Sequence, residues 1–422
     1  MPYSIKSSKS ALAMLAAGML GTFSLPDQVQ AAEIELLASF RPSALDPTRN
    51  AFQNDTPNTG ICQTNPNTCD MGAGAKRSFL TPITVEYGPF VVGAPESQQA
   101  TFTIPAQWRD VEIRHENGES AVVKFRLTLF GARYELPRPA SNITGAANMV
   151  LGHQSLWRGS SWVYTPPPCT FSGVGGVAER TYSFAWTTSD PIIHECTKSA
   201  LHNFESMRVV NVSYAYEMNS PNPLAMRNGV YTGSLRLRVG QGGDISFGEN
   251  GTPSESELIL KFTLTVAHEF QVNFPSASPQ VNLAPIGGWE QWTQYGKAPS
   301  SLRQELPFSL TSSSPFSVAL RCEHDAGEGC GIAENVSGTV VPLDVDLTMP
   351  GMTETATNRP ARNYLLRREH ADTDPMFAPD GYLVGRPSNL RFAVNGAGLT
   401  EMLSRPGTQW QGDVTIVFDT EL

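Results

Sequence analysis

"WRDVEIRHENGESAVVKFRLTLFGARYEL", Trp108 to Leu136, alternates apolar and polar residues on both sides of Asn117-Gly118. Alternation with a period of two sends one set of side chains to a buried face, and Asn-Gly is favoured chemistry for a two-residue hairpin turn, so the stretch predicts two antiparallel strands. The same pattern recurs outward in "EIELLASF", "FLTPITVEYGPFVV", "TYSFAWTTSD", "SMRVVNVSYAYEM", "ELILKFTLTVAHEFQVNFP", "LPFSLTSSSPFSVALRC", "VSGTVVPLDVDLTM" and "LRFAVN". It ends in "DVTIVF", where Val414, Ile416 and Phe418 share one face. Short strands at this spacing, in a chain with 36 Gly and 32 Pro, predict an all-β protein of antiparallel sandwiches. The Gly, Ser and Pro-rich region from Ser141 to Gly176 is expected as long surface loops, and "CTKSALHNFES" as one short helix or a crossover.

At the amino end, Lys6 and Lys9 precede the apolar "ALAMLAAGMLGTFSL" and then "VQA", the pattern of a secretory signal peptide over 1–31. The apolar run is shorter than the roughly 20 residues that a spanning helix needs. The chain carries 30 Lys and Arg against 40 Asp and Glu; removing Lys6, Lys9 and Asp27 with the signal leaves 28 against 39, a net charge of −11. Such a surface repels a phosphate backbone, so no nucleic-acid partner is expected. A mature chain of this length exceeds one core. With a polar, turn-rich "ENGTPSES" at Glu249 to Ser256, the expected division is 32–252 and 253–422.

Six cysteines fall into close pairs, Cys62 with Cys69, Cys169 with Cys196, and Cys322 with Cys330. An exported chain oxidises such pairs, though six cysteines allow fifteen pairings and proximity is only a guide. "CQTNPNTC" and "CEHDAGEGC" lack zinc-finger spacing. "HECTK" at His194 and "AHEFQ" at His268 lack the second histidine of a zinc-protease helix. "GVGGVAE" lacks the flanking strand and helix of a dinucleotide loop, and there is no G-x-S-x-G elbow. Asp344 and Asp346 lack the further ligands of a calcium loop. No catalytic residue, metal or cofactor is expected.

Trp157, Arg158, Trp162 and Tyr164 lie in the glycine and serine-rich region. Exposed there, the rings suit the apolar face of a sugar or peptide, with Arg158 as donor; buried, they close a sandwich core. Arg109, Arg114, Arg126 and Arg133 lie along the hairpin, where Arg114 and Arg126 form either a basic patch or a solvated strand face.

"SYAYEMNSPNPLAMRNGVYTGSLRLRVGQGGDISFGENG", "LTVAHEFQVNFP", "VNLAPIGGWEQWTQYGKAPSSLRQELPFSLTSSSPFSVALRCE" and "CGI" together resemble the minor, tip-located pilus proteins of the CblD and CfaE type, initiators and adhesins of the alternate chaperone-usher pathway. The resemblance is dense from Val212 to Cys330 and thinner toward either end. It implies two immunoglobulin-like β-sandwich domains, an amino-terminal adhesin and a carboxyl-terminal pilin domain that is incomplete until a donor strand completes it. It further implies a periplasmic pilus chaperone, an outer-membrane usher, a major pilin subunit donating the strand, a carbohydrate or protein receptor, and export through the periplasm to a fimbrial tip at the cell surface. Receptor contact through basic residues makes Arg109, Arg114, Arg158 and Arg180 candidates beside Trp157 and Trp162. Val414, Ile416 and Phe418 are the expected groove and chaperone contacts. A tip protein lacks a donor extension, and "AEIELLASF" enters strand-like sequence almost at once. The alternative is a structural minor pilin that initiates the fibre without binding a receptor.

Overall fold

The computed structural model describes residues 31–69, 76–276, 279–370 and 374–420; the expected signal segment lies almost wholly outside them. The principal strands of the first half are β1 (Ala31–Phe40), β2 (Arg109–His115), β3 (Ser120–Glu135), β4 (Thr181–Thr187), β5 (Met207–Asn219), β6 (Gly229–Arg238) and β7 (Glu257–Val266). They form one large sheet in which the order β5-β3-β2-β6-β7-β1 runs through the middle and β4 pairs with the far half of β3.

The hairpin read in Trp108 to Leu136 is β2 and β3, with Arg114 opposite Ser120. Its loop has three residues, Glu116 to Gly118, rather than two. The His115 amide donates to Glu119 O at 2.9 Å, the Gly118 amide donates to His115 O at 2.9 Å, and only Gly118 takes a positive φ, of 92°. This is the type I turn closed by a left-handed glycine that suits three-residue hairpins.

A second layer comes from the strands Ala100–Pro105 and Ile193–Lys198, which pair with each other. From this layer Phe102 reaches the large sheet, its ring 5.0 Å from Phe130 and 5.6 Å from Trp186. The Ser141 to Gly176 region is more ordered than its composition implies, carrying α1 (Ala140–Thr144), α2 (Met149–Leu156) and the strand Thr170–Val177. "CTKSALHNFES" forms no helix; it continues a strand and then crosses the domain through single bridges at Ala200 and Phe204.

Two expectations are corrected here. The sheet is not purely antiparallel, because β1 runs parallel to β7 from Ala31 beside Glu257 to Phe40 beside Val266. Nor does the chain divide between Thr252 and Pro253. Gly251–Pro253 pairs with Val85–Tyr87, and β7 pairs with both β6 and β1, burying Leu258, Leu260, Phe262, Leu264 and Val266 in the first core. The polar turns around Glu249 are surface punctuation within one sheet. The first core ends at Val266, and side chains from Phe270 onward pack on the second.

The second half is a sandwich. Its main strands are β8 (Phe270–Asn273), β9 (Ser301–Ser312), β10 (Phe316–Cys322), β11 (Gly329–Glu334), β12 (Val340–Thr348), β13 (Met376–Pro379), β14 (Leu383–Asn395) and β15 (Val414–Asp419), with helices α3 (Glu290–Tyr295) and α4 (Gly396–Leu403). One sheet has the order β8-β9-β14-β12-β11 and the other ends β13-β10-β15. Leu310, Val345, Leu347 and Leu390 of the first face Phe316, Val318, Leu320 and Phe377 of the second in a single buried cluster. The protein is thus an all-β chain of two β-sandwich domains.

Candidate strand-accepting edge and amino-terminal loops

β15 is the last strand of its sheet. It pairs antiparallel with β10 from Val414 opposite Cys322 to Asp419 opposite Ser317, and no described strand pairs with its other side. Period two sends Val414, Ile416 and Phe418 inward, where they pack on the second core, while Thr415 is exposed. All three stay only half-buried, although Val318 and Leu320 beside them on β10 are fully buried. The missing cover lies on the open side.

Across that opening is β8, the terminal strand of the facing sheet, hydrogen-bonded to β9 alone. Phe418 spans the gap, its ring 6.3 Å from Phe270 of β8, 6.1 Å from Phe308 and 6.0 Å from Phe316. Each of the two strands is therefore terminal in its own sheet, and half-buried apolar side chains meet between them. An added strand would pair with the free edge of β15 and cover that row. The sequence reading named the β15 residues and missed Phe270, Phe308 and Phe316. Alternation in "FQVNFP" was the available signal, but which edge β8 occupies is a matter of topology.

The receptor candidates scatter. Trp157 and Trp162 are each 0 % exposed, so they are core residues and not a binding face. Trp157 stands edge-on to Phe90, Phe204 and Trp162 at 5.7, 5.8 and 5.0 Å, and its Nε1–H donates to Tyr134 Oη at 3.1 Å. Tyr134 Oη lies 2.6 Å from His153 Nδ1, and His153 Nε2 lies 2.8 Å from Ala178 O. A carbonyl only accepts, so Nε2 carries the proton, Nδ1 accepts from the tyrosine, and the buried imidazole is neutral. Burial holds the His153 pKa below its ordinary value, partly offset by the Ala178 carbonyl.

Arg109 is tied at 2.7 Å to Asp244, whose other oxygen accepts from the Arg238 amide at 2.9 Å; it staples a loop and offers no free fork. Arg180 donates from Nε to Leu136 O at 3.0 Å and from Nη2 to Pro137 O at 2.5 Å. Arg114 is exposed and paired with Glu112 at 2.9 Å. Arg126 shares its strand face, but Glu217 holds it at 2.7 Å and it lies over the Trp108 ring, so the two arginines do not make one patch. Arg158 is exposed, and its backbone amide donates to Ser199 O at 2.8 Å. Beside it Lys198 is buried, with Nζ 3.2 Å from Ser160 O and 3.3 Å from Ser161 O, and desolvation lowers its pKa to about 8.

Cys62 bonds Cys69, Cys169 bonds Cys196, and Cys322 bonds Cys330. Among the described residues no cluster of three or more His, Cys, Asp or Glu is arranged to hold a metal, and no helix is long and apolar enough to cross a membrane. His268 sits between the two domains. Its Nε2 donates to Met226 O at 2.7 Å, its Nδ1 meets Ser313 Oγ at 3.0 Å, and its ring lies 5.6 Å from Phe40.

No family model matches the chain, and no curated protein matches it. Among solved structures, it is similar to the chaperone and tip adhesion subunit CsuC–CsuE pre-assembly complex of archaic chaperone-usher Csu pili from Acinetobacter baumannii. The match has 10 % identity over 92 % of this chain and 99 % of that one, at a TM-score of 0.22.

Proposed function

We propose that this protein is a minor subunit of a chaperone-usher pilus, whose carboxyl-terminal domain, residues 270–420, accepts a donor strand along β15. The observation that carries the reading is the half-buried row Val414, Ile416 and Phe418 on a strand with no described strand on its outer side, with Phe418 packed against Phe270 of a second terminal strand. A complete sandwich would cover that row. In the periplasm a pilus chaperone covers it first, the usher exchanges the chaperone for a strand from the major pilin, and the subunit reaches the cell surface in the fibre.

Placement at the tip is supported by β1. Its Ala32, Leu36, Ala38 and Phe40 are committed to the amino-terminal core and its backbone to β7, so this segment does not serve as a donor for another subunit. With β1 so committed, the reading puts the subunit first in the fibre, where it initiates assembly.

Receptor binding by the amino-terminal domain, residues 31–266, is the finer part of the proposal. Burial of Trp157 and Trp162 and the internal ties of Arg109 and Arg180 leave Arg158 and Arg114 as the exposed basic candidates. The same facts favour the narrower alternative, an initiating pilin without a receptor. Adhesion of cells carrying Arg158→Ala, compared with Arg114→Ala, separates the two.

The test of strand acceptance is recovery. Produced alone in the periplasm, the mature chain is expected to be poorly soluble or proteolysed, and a synthetic peptide of alternating apolar residues is expected to rescue it as a one-to-one complex. A soluble monomer whose β15 amides are all protected from exchange without any partner overturns the proposal.

A further inference from the structure

The carboxyl-terminal sandwich has two poles, and the amino-terminal domain occupies one. β9 ends there at Ser312, followed by Ser313, whose Oγ accepts from the Glu269 amide at 3.0 Å and meets the His268 ring. Asn228 of the first domain accepts from the His268 amide at 2.5 Å. Asp419 of β15 lies toward this pole, since it pairs with Ser317 at the start of β10. β9 begins at the opposite pole, eleven residue steps away at ~3.3 Å each, or roughly 35 Å. There Ser301 pairs with Asn395, the residue before α4. A subunit that lays a strand along β15 cannot set its folded body on the occupied pole.

The free pole carries an apolar lobe. Ala284–Pro285 pairs with Leu302 and Arg303 on the same side of β9 that β8 occupies further along, so the lobe continues the strand-accepting side of the sandwich. Gly287 and Gly288, with φ of 80° and 86°, then turn the chain outward, and Gly296 at φ 63° ends α3. This outward turn leaves Ile286 68 % exposed, Trp289 40 % and Tyr295 73 %. Behind them Trp292 lines a cleft of about 500 Å³ with Leu399 and Leu403 of α4. Glu290 and Lys297 are of opposite sign, so the face is apolar without a dominant charge. Clustered apolar side chains on a built turn mark an interaction surface.

We infer that the α3–α4 pole is the seat for the folded body of the subunit that donates the strand, a second contact beyond the strand itself and made through a complementary apolar face. This rests on the strand-accepting reading above, and the experiment separates the two. Hydroxyl-radical footprinting with mass spectrometry is applied to the full mature chain in two states, complexed with the donor peptide and within fibres isolated from cells. Exchange of the β15 amides is followed in both. The expected result is protection of β15 in both states, with loss of oxidation at Trp289 and Tyr295 in the fibre alone. Equal oxidation of the two aromatics in both states, with β15 protected, overturns the docking pole and leaves strand acceptance standing. Exposed β15 amides in both states overturn strand acceptance and the docking pole with it. As a second measurement, the Trp289→Ser, Tyr295→Ser variant should bind the peptide and melt as the parent does while entering fibres about tenfold less well, as loss of central aromatic anchors implies. Unchanged entry into fibres overturns the inference.

Discussion

Replacing Trp157 by alanine tests the reading of the amino-terminal aromatic cluster most directly. The ring is fully buried, packs edge-on against three others and donates to Tyr134 Oη. Emptying such a site costs about 3–5 kcal/mol, and leaving the tyrosine without its donor adds about 1 kcal/mol. For a domain of this size each kcal/mol moves Tm by about 2–4 °C, so the amino-terminal transition should fall by roughly 10–20 °C. Scanning calorimetry of the strand-complemented chain reads this. The phenylalanine variants sharpen the test. Trp157→Phe strands a buried hydrogen-bond acceptor, whereas Trp162 Nε1 has no partner in the structure, so Trp162→Phe should cost less. A Trp157→Ala shift under about 2 °C would refute the core assignment, since a surface aromatic costs little on removal. Equal costs for the two phenylalanine variants would refute the Trp157–Tyr134–His153 chain.

Other outcomes follow from the same structure. His153 is held neutral, so the folded state resists a proton that the unfolded chain takes up near pH 6.5; the unfolded state then binds more protons, and Tm of the amino-terminal domain should fall as pH drops from about 6.5 through the lowered folded pKa, while a His153 ring titrating at its ordinary pKa by NMR would contradict this. Ile416→Asp should abolish rescue by the donor peptide, whereas Thr415→Ser, on the exposed face, should leave binding by calorimetry unchanged. Removing the Cys169–Cys196 bridge, with a separation of 27, should destabilise by about 3.5 kcal/mol against about 2.5 for Cys62–Cys69, with its separation of 7, in denaturant titrations. Arg109→Ala should lower Tm because it unties Asp244, while Arg158→Ala should not.

What the sequence disclosed and what it withheld divide on physical lines. Alternation is local, so the strands of the hairpin, β7 and β15 were legible, and with them the all-β class and the inward set Val414, Ile416 and Phe418. Turn composition is local too, but it does not count loop residues: Asn117-Gly118 marked the bend while His115 and Glu119 set its length. Which strand lies beside which depends on contacts between distant residues. The parallel pairing of β1 with β7 joins positions more than two hundred apart, and for that reason "ENGTPSES" looked like a linker. Trp157 and Trp162 are apolar rings in a polar, glycine-rich setting. Sequence left their burial open because the cover comes from distant residues: Phe90 and Phe204, from two other loops, lie on Trp157, and Phe184 and Trp186 of β4 lie on Trp162. The partners of Phe418 in the facing sheet, Phe270 and Phe308, were hidden for the same reason.

The junction of β1 with β7 also governs how the amino-terminal domain resists being pulled. β7 leaves the domain at Val266, and its ten residues lie between β6 and β1, in register with both from end to end. Tension entering along the linker acts parallel to β7, so the two flanking ladders are strained together in shear instead of opening one rung at a time from an end. Such a strand yields only when many hydrogen bonds fail at once. A pull across the sheet at the exposed Asn117-Gly118 tip would instead peel the hairpin bond by bond. The domain is therefore mechanically anisotropic, stiffest along the line that joins it to its neighbour, and the chain of β1 acts as a tensile splint on the strand that carries the connection.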